Sequence, residues 1–243
     1  MMKKQKFISQ AQNRRREIEH YLVEKNNWQY FSSVIYNHWK LVFLALFPKY
    51  IHGKVLDVGC GGAPYLNEIE KFSKNIVLMD IKMQEILISL RGNVQKIPIT
   101  GAVFDSVLCF QVFEHIPEPL IAIKEINRVM KQDGLLFFSV PHLSRLHDLP
   151  YDFYRYTENG ITYVLESGGF QVLEIIKTDG LISFLSHQLS LSFLVFCWKF
   201  KLFRPICLFI NKYVFTLFGS WLDKFLGMKK YFPQGYIAIA RKI

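Results

Sequence analysis

Apolar residues in the middle of the chain come in short unbroken blocks, set apart by glycine, proline or polar breaks. Residues 55–58 form such a block, as a strand covered on both faces would. Further strands are predicted at 76–79 (ending in Asp80), near Val94, at 104–110, 134–140 and 170–176, and at 236–240. Helical spacing appears at 65–72 and again at 119–130, where Leu120, Ile123, Ile126, Val129 and Met130 share one face. Strand and helix alternate, so the expected fold is α/β with a mostly parallel sheet and helices on both faces.

The ends of the chain carry a different pattern. Residues 11–47 predict helices: 14–30 is charged and amphipathic, and Ser32 or Ser33 can cap a second helix. In that second helix Ile35, Trp39, Val42, Phe43 and Leu46 recur at helical spacing, and Pro48 is expected to end it. It reads as a cover over the sheet or ligand pocket, or as a membrane-touching helix. Residues 181–198 contain no Lys, Arg, Asp or Glu, and a second apolar run follows at 206–222. The expected organisation is a helical cap at 1–49, a ligand-binding core at 50–180, a helical insertion at 181–234 and the core's last strand at 235–243.

Composition sharpens this picture. Of 243 residues, 51% are hydrophobic and 22 are Phe, more apolar surface than one core requires. The net charge of +10 sits at the ends, with +4 in 1–25 and +8 in 177–243 against −2 between them. A nucleic-acid enzyme needs a basic track across its active face, so no nucleic-acid partner is expected. Basic residues among aromatics at 181–230 suggest an anionic membrane surface instead. Three arrangements stay open for that segment: lying in the interface, acting as a lid or oligomer contact, and spanning. A spanning hairpin would carry Lys199, Lys201 and Arg204 across the bilayer, against the positive-inside preference. Cys60, Cys109, Cys197 and Cys207 show no C-x-x-C pair, and residues 1–10 hold no apolar signal core. A cytoplasmic protein with free thiols, peripheral at the inner membrane face, is expected.

Candidate chemistry begins after the first strand. Gly59, Gly61 and Gly62 allow a sharp turn and close approach of a ligand to bare backbone. A helix after the turn would add unpaired N–H groups. A dinucleotide fingerprint needs a third glycine at position 64, where Pro64 stands. Asp80 lies 23 residues after Asp57 at the end of the second strand, where a carboxylate accepts from two ribose hydroxyls.

Asp57-Val58-Gly59-Cys60-Gly61 resembles motif I of the class I S-adenosylmethionine-dependent methyltransferases, with Ala63 where many members carry a further glycine. Residues 104–117, which include Gln111, Glu114 and His115, resemble the F-D-x-V-x-x-x-x-V-x-E-H segment of that family's small-molecule branch. The resemblance implies a Rossmann-like seven-stranded sheet and S-adenosyl-L-methionine as cofactor. It implies that Asp57, Gly59 and Gly61 lie along the methionine end, Asn93 and Val94 at adenine, and Gln111 at the methionine or adenosine end. The base-methylating motif [DNS]-P-P-[YFW] is replaced by Cys109-Phe110-Gln111-Val112. Residues 147–157 resemble a segment of members from bacterial surface-glycan gene clusters. His142, Asp152, Arg155 and Tyr156 are then candidate substrate contacts, with an Asp152–Arg155 salt bridge that only fixes the loop as the alternative.

Methyl transfer is an in-line displacement that mainly requires alignment and exclusion of water. A base is required only for a hydroxyl acceptor, and His147 or His115 can serve. No metal is expected, since no carboxylate cluster announces one. The first expectation for the substrate is a small molecule or a hydroxyl on a lipid-linked saccharide. The alternatives are a quinone or lipid amphiphile, and a non-catalytic cofactor-binding scaffold at the membrane. Oligomeric state is not legible.

Overall fold

The computed structural model describes residues 34–82 and 88–243. They fall into two compact units. One comprises Val42–Thr178 and Gly235–Ile243; the other comprises Asp179–Gln234 and the described chain before Val42.

The first unit is built on a seven-stranded sheet. Its strands are β1 (Lys54–Val58), β2 (Asn75–Asp80), β3 (Leu90–Arg91), β4 (Phe104–Phe110), β5 (Met130–Pro141), β6 (Phe170–Lys177) and β7 (Gly235–Lys242), in the order β3-β2-β1-β4-β5-β7-β6. β1 pairs in parallel with β2 and β4, with Val58 opposite Met79 and Cys109. β7 runs antiparallel between β5 and β6, so Ile239 lies opposite Phe137 and Ile237 opposite Ile176.

Alternation along the strands supplies two buried faces. Phe137 and Phe110 meet Phe43 and Phe47 of α1 (Val34–Tyr50), with Phe43 and Phe110 ring centroids 4.4 Å apart and Phe47 and Phe137 5.7 Å apart. Phe138, Cys109 and Ala238 belong to the other face. There Ile123 and Ile126 of α3 (Pro119–Val129) and Ile161 and Leu165 of α4 (Glu158–Ser167) close the core. Thr157 caps α4, its Oγ1 accepting from the Gly160 amide at 3.1 Å.

Several boundaries differ from the sequence reading. The third strand is Leu90–Arg91 and not the neighbourhood of Val94. The Asn93 side-chain oxygen accepts from the Gln95 amide at 2.9 Å, which makes a turn there and leaves Val94 buried outside any strand. The helix after the glycine turn, α2 (Leu66–Ile69), is only one turn long. α1 runs through Pro48 to Tyr50, because a proline near the last turn removes one donor without stopping the helix. The helix expected at 14–30 and the caps Ser32 and Ser33 lie outside the described residues.

The second unit is helical. α5 (Leu181–Cys197) packs on a continuous helical rod, Lys201–Leu226. The rod contains α6 (Arg204–Ile210), a π-helical stretch (Asn211–Phe218) and α7 (Gly219–Leu226). A side chain at Gly219 would meet Ser186 Oγ at 2.3 Å, so the two backbones approach closely there. The unit buries polar side chains beside a small apolar cluster of Leu194, Trp198 and Leu208, and it exposes many apolar ones. Ser183, Ser190, Asn211, Thr216 and Asp223 are buried, while Leu189, Phe196, Phe209, Trp221 and Phe225 are more than half exposed.

Asp223 fixes the start of α5. Gly180 at the N-cap has no side chain to offer, and Asp223 accepts from the amides of Gly180 (2.7 Å), Ile182 (2.9 Å) and Ser183 (3.2 Å). Asp223→Ala would orphan three helix-start donors at a cost of about 2–4 kcal/mol. Amide exchange at 180–184 should quicken while the sheet amides keep their protection; unchanged exchange there would mean that Asp223 is dispensable.

Candidate cofactor and acceptor site

The loops that leave β1, β2, β4 and β5 share the carboxyl edge of the parallel sheet, where open α/β folds bind ligands. The site residues predicted above are carried by these loops and the strand ends that feed them, except Asn93 and Val94, which follow β3.

The loop after β1 turns through Gly59 (φ 68°), Gly61 (φ 51°) and Ala63 (φ 44°). Ala63 holds the left-handed conformation that a glycine takes freely, which explains why glycine is frequent at that place in the motif. Its amides point to partners within the protein. Gly59 and Cys60 donate to the Met79 carbonyl at 2.8 and 3.1 Å, Gly61 to Asp80 Oδ2 at 2.9 Å and Ala63 to the Cys60 carbonyl at 2.7 Å. These four amides form no anion-binding row, in keeping with Pro64, and one-turn α2 adds little dipole. The charge at this loop is carboxylate. Asp57 is buried at the end of β1, and burial, then the charge of Asp80, pushes its carboxyl up to about 7. Asp80 accepts from the amides of Gly61 and of Lys82 (2.8 Å). Two of its roughly four lone-pair positions remain for a ribose diol.

These residues fit S-adenosylmethionine: the buried carboxyl suits a cationic sulfonium and ammonium, and Asp80 suits the ribose. Space is also present, since a Cβ at Gly61 would meet none of the described residues within 4 Å. Gln111, at the end of β4, has φ 55° and donates its amide to the Ser139 carbonyl at 2.9 Å. A left-handed glutamine at a strand end marks a position held by its surroundings. Asn93 is exposed with its oxygen in the turn, and Val94 is buried beside it.

The long loop after β5 folds over the Phe113–His115 turn. The amides of Phe153 and Tyr154 donate to the Glu114 carbonyl at 2.8 and 3.2 Å, and the Tyr156 hydroxyl donates to the Phe113 carbonyl at 3.1 Å. Burial raises the Tyr156 phenol well above its ordinary value. His142 Nδ1 meets the Tyr156 carbonyl at 2.8 Å, and its ring lies edge-on to Tyr236. Arg155 grips Asp152 with bonds of 2.6 and 2.9 Å and also donates to the Arg145 carbonyl at 3.0 Å. Asp152 takes the His147 amide at 2.9 Å, and its bonds from Arg155 hold its carboxyl well below the usual range. The Asp152–Arg155 pair is thus a brace inside the loop.

The brace sets His147 against His115 and Glu114. The two imidazole centroids lie 4.9 Å apart, and Glu114 Oε1 is 3.8 Å from His115 Nε2 and 4.0 Å from His147 Nε2. Glu114 is fully buried, and neither carboxylate oxygen has a hydrogen-bond partner among the described residues. Burial pushes its acid up to about 8 and lowers the His147 imidazole. The sequence marks Glu114 only as part of a motif. His147 lies 33 residues later, and spacing alone gives no sign that the two meet.

Residues 56–138 match the family model for the methyltransferase domain. The chain is 29% identical over 105 residues to the ubiquinone biosynthesis O-methyltransferase of Actinobacillus pleuropneumoniae serotype 7, covering 35% of this chain and 44% of that protein. The match to the Colwellia psychrerythraea enzyme of the same name is also 29%, over 100 residues, with 35% and 41% covered. The chain therefore spans less than half the length of these curated relatives. In fold it is similar to a SAM-dependent methyltransferase from Archaeoglobus fulgidus (TM-score 0.54, 18% identity, 84% of this chain and 94% of that one). It is similar also to the [4+2]-cyclase SpnF (TM-score 0.56, 16% identity, 83% and 80%). One fold thus serves different chemistries, and the site must decide between them. The motif loop, the strand order and the domain match agree: residues 56–138 are similar to the methyltransferase domain, on the Rossmann-like fold that the class I S-adenosylmethionine-dependent methyltransferases share.

Proposed function

We propose that the protein transfers a methyl group from S-adenosylmethionine to a hydroxyl of a membrane-borne small molecule. The carboxylate-lined glycine loop carries the cofactor half of this reading. When bound there, S-adenosylmethionine supplies an electrophilic methyl group. Asp80 holds the ribose, Asp57 balances the positive charge, and Gly61 leaves room for the ligand. Gln111 shapes the floor next to the acceptor. His147 and His115 face the same edge, where a ring nitrogen takes the hydroxyl proton. The brace through Asp152 and Arg155 orients His147 and keeps the loop closed over Glu114.

The exposed apolar surface of the helical unit supports the membrane half. Aromatic and aliphatic side chains cover its outside, and Lys199, Lys201, Arg204, Lys224, Lys229 and Lys230 lie along it. That combination suits an anionic bilayer surface, with rings in the acyl region and ammonium groups among headgroups. Lys201–Leu226 is long and apolar enough to cross a membrane, but Lys212 falls at its middle, which favours the interface. In flotation assays the protein should rise with vesicles containing anionic lipid and stay behind with neutral ones. Failure to rise with either removes the membrane half.

Two acceptor classes follow. Residues 147–157 favour a lipid-linked saccharide. The names of the curated relatives favour a quinone-type amphiphile. Incubation of the protein with methyl-labelled cofactor and a membrane extract separates them: label that mild acid releases into a sugar fraction marks the first, and label that stays with the apolar lipid marks the second. Label in neither fraction contradicts transfer to a membrane-borne hydroxyl.

Asp57 makes cofactor binding pH-dependent. Its free-state value near 7 leaves it mostly protonated at pH 6, and a cationic ligand favours the anion. Binding should therefore release close to one proton at pH 6 and almost none at pH 8, with affinity rising across that range. Calorimetry in two buffers of different ionisation enthalpy reads this directly; heats independent of buffer at pH 6 would contradict it.

A further inference from the structure

We propose that Glu114, His115 and His147 form a binding site for one divalent first-row transition-metal ion. One carboxylate oxygen and two imidazole nitrogens converge here, all within 4.8 Å of one another. They offer the two-histidine, one-carboxylate donor set that such ions take with positions left open.

The tautomers are set for it. His115 Nδ1 lies 2.6 Å from the Tyr151 carbonyl, and His147 Nδ1 lies 3.1 Å from the Arg145 carbonyl. A carbonyl only accepts, so each Nδ1 carries the proton and each Nε2 turns a lone pair toward Glu114. This is the outer bonding that fixes metal-binding histidines. Asp152 Oδ2, 3.6 Å from His147 Nδ1, adds a second acceptor on that outer side.

With Glu114 ionised, three acceptors face one another. Glu114 Oε1 stands beyond hydrogen-bond reach of both rings, at 3.8 and 4.0 Å, and neither carboxylate oxygen has a hydrogen-bond partner among the described residues. A fully buried carboxylate in that position is costly unless a cation meets it. Atoms so spaced place a shared ion roughly 2.2–2.8 Å from each, so closure by a few tenths of an ångström reaches the usual ~2.0–2.2 Å. The histidines are about a quarter exposed, 23% and 25%, which leaves the ion a way in and an open face. The ion would also tie the loop after β4 to the loop after β5.

Metal binding itself is independent of methyl transfer. On the methyl-transfer reading, an ion here would take over from the ring nitrogens the task of making the acceptor hydroxyl acidic.

The test uses the untagged full chain, stripped with chelator and titrated with Zn2+, Co2+ and Mg2+. One equivalent of Zn2+ should bind, Co2+ should develop a visible d–d absorption, and the melting temperature should rise with either ion. Mg2+, which favours oxygen ligands, should do none of these. His147→Asn and Glu114→Gln should each weaken Zn2+ binding at least about 100-fold and remove the Co2+ band. Gln matches the size of Glu without its charge; should that variant fail to fold, His115→Asn and His147→Asn supply the same readout from partly exposed rings. Absence of stoichiometric Zn2+ binding, or binding unchanged in the histidine variants, would overturn the proposal. So would tight Mg2+ binding without Zn2+ binding. A failure of S-adenosylmethionine to bind would leave these results standing.

Discussion

Asp80→Ala is expected to weaken S-adenosylmethionine binding by at least about 100-fold, the loss of two hydrogen bonds to a charged acceptor at roughly 1.5–3 kcal/mol each. The carboxylate has two tasks. On the proposed function it offers lone pairs to the ribose diol; it also anchors the glycine loop through the Gly61 amide and the strand end through the Lys82 amide. Both tasks fail together in alanine. Asp80→Asn keeps one side-chain oxygen and should fall between the two. Asp80 is only partly buried at the edge of the sheet, so the fold should survive. Binding measured on folded variants, with circular dichroism as the control, decides this. Affinity equal to the wild type in Asp80→Ala would remove the ribose role.

The glycine pair gives the second large effect, and its two members should behave differently. At Gly59 the backbone is left-handed, and an added Cβ would meet Val112 Cγ2 at 2.5 Å. Gly59→Ala should therefore cost about 2–4 kcal/mol of stability through strain and overpacking, visible as a lower melting temperature. At Gly61 the backbone is also left-handed, but a Cβ would meet none of the described residues within 4 Å. Gly61→Ala should cost only about 1 kcal/mol, the left-handed penalty of a non-glycine residue. The same methyl group would stand in the space the cofactor needs, and affinity should fall at least about tenfold, or 1.4 kcal/mol. A stable Gly61→Ala protein that binds as well as the wild type would mean that the open space beside the loop is not the cradle.

The parts of the fold that rest on local pattern were legible. Unbroken apolar blocks mark buried parallel strands, and β1, β2, β4, β6 and β7 lie where those blocks lie, as does most of β5. Thr157 before Glu158 marks a helix start because a cap is a local bond. The misses have local causes of another kind. Val94 is apolar and buried, but the Asn93 side chain competes for the next amide and makes a turn. Pro48 lies near a helix end, where losing one donor matters little.

The site divides in the same way. The glycine loop and Asp80 could be read because the motif is contiguous and the strand spacing carries the partner. The direction of the loop amides could not, since the acceptors for Gly59, Cys60 and Gly61 lie on β2. Nor could the group around Glu114, which depends on a 33-residue return of the chain and on a brace that turns His147 inward. Asp223 capping α5 from another helix belongs to the same class. Sequence also left open how the apolar tail is arranged. Its buried serines, Asn211 and Thr216 against exposed Phe and Trp emerge only when the two helical segments are packed together.

The central claim is that the carboxylate-lined loop after β1 holds the methyl donor. Calorimetric titration of the full chain with S-adenosylhomocysteine, the unreactive product, tests it most directly. One saturable site per chain, lost in Asp80→Ala, is the result expected. No saturable binding to folded protein, or a site untouched by that substitution, would contradict it.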